Sequence, residues 1–74
     1  MDYQAFYNDV VEWIGKANQA ALQHGMQSEN FWAWVALSAG EICAKYQDNR
    51  LVIKQMMMMT EWLEEVCENQ KVSK

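Results

Sequence analysis

Few residues of the 74-residue chain are of types and spacings that do chemistry. His24, the single histidine, is of the one residue type whose ordinary titration falls near neutrality. It sits in the last turn of a predicted helix, where a cation suits the helix dipole. Spacing alone places no serine, cysteine or carboxylate pair beside it to form a nucleophilic or acid–base constellation. Glu61, Glu64, Glu65 and Glu68 fall within two helical turns and could offer oxygen ligands to a divalent cation. Helical bundles that hold two metal ions combine such glutamates with Glu-x-x-His pairs, and the chain contains no such pair. The cluster therefore reads either as a solvated face or as a surface for a basic partner. Cys43 and Cys67 form no Cys-x-x-Cys motif and are too few for a disulfide framework. They read as sheltered thiols of a reducing compartment. Gly15, Gly25 and Gly40 are isolated, so no phosphate-binding loop is present. The expectation is a protein without enzymatic activity, cofactor or metal.

Charge narrows the partners. Six basic residues against ten acidic ones leave a net charge of −4, and the bases are scattered, with only Arg50 and Lys54 one turn apart. Phosphate backbones are bound by clustered Lys and Arg, so no nucleic-acid partner is expected. The same acidity disfavours an anionic membrane surface. The apolar run from Phe31 to Gly40 is closed by Glu29 and Glu41 and has about half the length that crosses a bilayer. No basic stretch followed by an apolar core opens the chain. No membrane partner and a cytoplasmic location are the expectations.

These side chains have to be positioned by helices. The chain has no proline and is rich in Ala, Leu, Met, Glu, Gln and Lys, the residues that favour helix. Asp2 can cap a first helix over about 3–24, with Tyr3, Phe6, Tyr7, Val10, Ile14, Ala17 and Ala21 on its inner face. Gly25 closes it in the left-handed conformation, and Ser28 caps a second helix over about 29–47. Asp48 or Asn49 ends that helix and caps a third over about 50–70, with Val52, Met56, Met59, Leu63 and Val66 inward; the last few residues fray. Short loops make successive helices antiparallel neighbours. The predicted fold is one all-α domain spanning residues 1–74, an up-down-up three-helix bundle that pairs into a helical homodimer.

Apolar surplus carries the pairing expectation. A chain this short hides only about 60% of its unfolded surface, and burial and ordering entropy nearly cancel at this size. The second helix is apolar nearly all round, more than two neighbours can cover. Its small residues Ala36, Gly40 and Ala44 permit close approach, either of another chain or of the first or third helix of the same one. On the third helix Leu51, Met58 and Trp62 form a second stripe roughly 90° from the core stripe. Either the helices splay to bury it, or it is an interaction surface. Trp34 falls in the polar sector of the second helix, as an interface anchor or as a ring lying flat along the bundle edge. Met57 and Met58 suit an adaptable apolar contact or serve as core filler.

The predicted interface residues are Trp34, Ala36, Gly40, Leu51, Met57, Met58 and Trp62. The predicted function is protein–protein association, with a second copy as first partner and another protein as second. The alternative is a bundle that binds a small molecule in a pocket lined by Trp and Met.

Overall fold

The computed structural model describes residues 1–72, with side chains described through residue 69. Its elements are α1 (Tyr3–His24), α2 (Glu29–Lys45) and α3 (Arg50–Val72). Among the described residues there is no strand. The expected fraying of the last residues lies outside the described ones beyond Val72.

Local chemistry sets the ends. The Asp2 carboxylate accepts the Ala5 N–H at 3.1 Å and the Ser28 hydroxyl accepts the Asn30 N–H at 3.0 Å, each supplying a partner to an N-terminal donor with none inside the helix. The Asn49 side chain does the same for Leu51 at 2.9 Å. Gly25 ends α1 with φ 81° and ψ 141°. The positive φ is the one glycine tolerates, but the extended ψ is not the left-handed helical cap expected from sequence. At the other junction α2 stops at Lys45, two residues earlier than expected. Gln47 and Asp48 both take positive φ, 59° and 56°, and the Asp48 N–H turns back to the Cys43 carbonyl at 2.8 Å, a bond of the kind that closes helix C-termini. In the opposite direction, α3 runs two residues past its expected end.

Packing makes α2 the middle element. Trp13 of α1 meets Ser38 of α2 and Asp9 meets Lys45 and Tyr46, so α1 and α2 are antiparallel. Cys67 near the end of α3 meets the Met26 carbonyl just before α2 begins, which makes α3 antiparallel to α2 in turn. One core joins the three helices, with Phe6, Phe31, Met56, Val35 and Val52 its largest fully buried side chains. The bundle measures 43 × 19 × 18 Å, barely two helix diameters of about 10 Å across. A body so thin leaves each helix an outer face in water.

The inward rows differ from the sequence reading on α1. Phe6, Val10, Trp13, Ala17 and Ala20 are buried, whereas Tyr3 and Tyr7 are exposed; Ile14 and Ala21 pack at the margin. Trp13 accounts for the turn of the helix, because its large ring goes inward and carries the row with it. On α3 the expected row holds, with Cys67 extending it and Val66 at its edge.

Candidate functional site

The core row of α3 fixes which of its side chains face out. With Val52, Met56, Met59 and Leu63 turned inward, Leu51, Met58 and Trp62 keep 39, 53 and 42% of their surface in solvent. The splay that would have buried them does not occur. Met57 is exposed too, on the side of α3 toward α2. Leu51, Met58 and Trp62 are large apolar groups in one strip of a small protein, the kind of surface that marks association.

The outer face of α2 is different. All its large residues except Leu37 are taken up by α1 and α3, leaving Ala33, Ala36, Gly40 and Ala44 exposed. Two neighbours therefore cover the middle helix more fully than its apolar circumference implies, because the uncovered sector consists of small side chains. A methyl group added at Gly40 would meet nothing within 4 Å, so no neighbouring element of the chain uses the close approach that this position allows. Between α2 and α3 lies an open cleft of about 300 Å³ formed by Ala39, Gly40, Cys43, Ile53, Met57 and Thr60 among others. Burial pushes the Cys43 thiol up, and the charge of Asp48 adds to the effect, so the sulfur at this cleft is a poor nucleophile.

The structure thus distributes the predicted interface residues over three places. Gly40 and Met57 meet in the α2–α3 cleft, with Ala36 exposed one turn before Gly40 on α2. Leu51, Met58 and Trp62 run along the outer side of α3. Trp34 is on the opposite side of α2, half-buried and stacked on Trp13 with ring centroids 5.6 Å apart and planes 18° apart. The Trp13 indole N–H donates to the Ser38 hydroxyl at 2.8 Å, and that hydroxyl donates to the Trp34 carbonyl at 2.7 Å.

A second cleft, about 250 Å³ between α1 and α2, holds these tryptophans together with Asp9, Glu12, Lys16, Glu41 and Lys45. Lys45 donates to the Asp9 carboxylate at 2.8 Å and the Tyr46 hydroxyl donates to the same oxygen at 2.6 Å. These two donors, Lys45 foremost, hold the Asp9 carboxyl below its ordinary value, and the same bonds raise Lys45 and Tyr46 above theirs. This set of bonds fastens the α2 end to α1. Sequence reading missed both it and the inward Trp13. The spacing of Trp13 from Val10 and Ala17 was the available signal for the ring. Nothing in the sequence linked Asp9 to residues 36 and 37 positions away.

Candidate chemistry finds little support in the geometry. His24 is exposed at the end of α1. Glu61, Glu64, Glu65 and Glu68 line a shallow surface with Asn69. Among the described residues, no group of three His, Cys, Asp or Glu stands close enough to hold a metal ion, and no helix is long and apolar enough to cross a membrane. No protein-family model, curated protein or solved structure matches the chain.

Proposed function

We propose that the protein acts by association rather than catalysis, pairing with a second copy of itself through its α2 and α3 surfaces, with another protein as a further partner. The observation that carries this reading is the exposed row of Leu51, Met58 and Trp62. Covering side chains of this size with a second chain gains about 25 cal/mol for each Å² of apolar surface removed from water. A 23-residue helix is about 35 Å long and about 10–12 Å across. The outer side of α3 alone therefore offers on the order of 350–400 Å² per chain, and the neighbouring α2 surface has to contribute the rest of the ~800 Å² that each partner brings to a standard interface. The free thiols, Cys67 buried and Cys43 half-buried, suit a reducing compartment such as the cytoplasm.

Light scattering over a concentration series tests this directly. The expected mass is about 17 kDa, twice the 8.7 kDa of one chain. A mass of one chain that persists at high concentration refutes self-pairing.

The α2–α3 cleft favours a second reading, binding of a small apolar molecule. Its size is at the lower end of ligand pockets, about 300–1,000 Å³, and it opens to solvent along one side. Saturable binding of indole, abolished by Gly40→Leu, would support that reading; non-saturable or unaltered binding would exclude it.

A further inference from the structure

Charge is arranged along α3 in a way that opposes the helix itself. Arg50 and Lys54 occupy its first two turns, Glu61 stands at its middle, and Glu64, Glu65 and Glu68 lie past it. A helix prefers acids at its N-terminus and bases at its C-terminus, so this order costs stability in the isolated chain. Glu61 and Glu65 take part in neither of the ion pairs Lys16–Glu12 and Lys45–Asp9. Arg50, Lys54, Met57, Met58, Glu61 and Glu65 follow one another at intervals that keep them on one broad outward face of α3, with Met57 and Glu61 at its edge on the α2–α3 cleft.

From this order we infer that the homodimer forms by antiparallel pairing of α3 with α3 of the second copy. This inference rests on the self-pairing reading above and adds its geometry. Centred between Met57 and Met58, the pairing sets Lys54 level with Glu61 of the second copy and Arg50 level with its Glu65. Met57 lies level with Met58. Two-fold symmetry makes each contact occur twice, as in any isologous interface. Leu51 and Trp62 flank this line and close over it from one side. A parallel pairing would set Arg50 and Lys54 against their own counterparts and the glutamates against theirs, so like charges would meet along the whole length. The charge order that weakens the lone helix is the order that selects the antiparallel dimer, a use of charge for orientation seen at helix pairs generally.

Three variants test the inference. The first carries Arg50→Glu and Lys54→Glu, the second Glu61→Lys and Glu65→Lys, and the third all four changes. Each of the first two places like charges together at both ends of the interface. Their dimer dissociation constants, measured by sedimentation at low salt, are expected to rise on the order of tenfold. High salt should narrow the gap from the wild type. The third variant exchanges the charges within one chain and restores attraction only when the helices run antiparallel, so its dissociation constant is expected to return to the wild-type range. Arg50→Glu puts an acid where the dipole favours one, and the other three positions lie beyond the terminal turns in which it acts, so circular dichroism should report undiminished helix in all three. A wild type that dimerises while the fourfold variant fails to recover, or while the first two remain as tight as wild type, overturns the antiparallel geometry. A wild type that is monomeric overturns the self-pairing reading beneath it.

Discussion

Replacing Trp13 with phenylalanine should remove about 2 kcal/mol of stability, and half of that loss should be traceable to a single hydrogen bond. Trp13 is 3% exposed, its ring stacks on Trp34, and its N–H reaches Ser38 at 2.8 Å. Phenylalanine keeps a ring against Trp34 but lacks the N–H, and an intramolecular hydrogen bond of this sort contributes about 1 kcal/mol net. The smaller ring also gives up buried surface worth about another 1 kcal/mol. Trp13→Ala should cost about 3–5 kcal/mol, the usual range for emptying a buried aromatic site. Urea unfolding at one fixed protein concentration measures these losses, with the slope unchanged if the unfolded state is unaffected. For a chain of this size a loss of 2 kcal/mol lowers Tm by roughly 10 °C. Combining Trp13→Phe with Ser38→Ala isolates the bond, and the two changes should fall short of additivity by about 1 kcal/mol. Additivity within about 0.3 kcal/mol, or a Trp13→Ala variant as stable as wild type, would refute the view that this ring anchors α1 to α2.

Asp9 sets the acid behaviour of the same contact. Its carboxyl is held below the ordinary value by Lys45 and Tyr46, so its contribution is present above the unfolded carboxylate value and is lost as pH falls through the folded one. Asp9→Asn should therefore flatten the fall in Tm on acidification, which thermal melts from neutral to acid pH will record. Gln47 holds φ 59° without being glycine, and Gln47→Gly should raise stability by about 1 kcal/mol, seen as a higher Tm. Gly40→Ala fills open space inside a helix and should stabilise the chain by roughly 0.5–1 kcal/mol, read by urea unfolding.

How far sequence reached depends on how local each determinant is. Asp2 and Ser28 cap the helices as their types imply, because an N-cap is decided within three residues. The exposed Leu51, Met58 and Trp62 row was also legible, since the inward row of α3 is long and regular enough to fix the rotation of the helix. On α1 two apolar rows compete, one containing Tyr3 and Tyr7 and the other Trp13. The choice is made by Trp34 and Ser38 on another helix, which no local pattern encodes. The end of α2 was misplaced for a related reason: Gln47 and Asp48 leave the helix to bring the Asp48 N–H back to Cys43, a closure that here uses no glycine. For the apolar circumference of α2, counting large and small residues alike overstated the need for cover, because what stays outside is mostly alanine and glycine. On α3 the exposed groups are large.

In the proposed dimer the outer side of α3 is where the protein meets its partner copy. Backbone amide NMR spectra recorded across a dilution series locate the contact residue by residue. The expected result is concentration-dependent shifts at Leu51, Lys54, Met58, Glu61 and Trp62, absent in a Met58→Glu variant that keeps the fold. Spectra that do not change with concentration, or changes confined to α1 around Tyr3 and Val11, would contradict it.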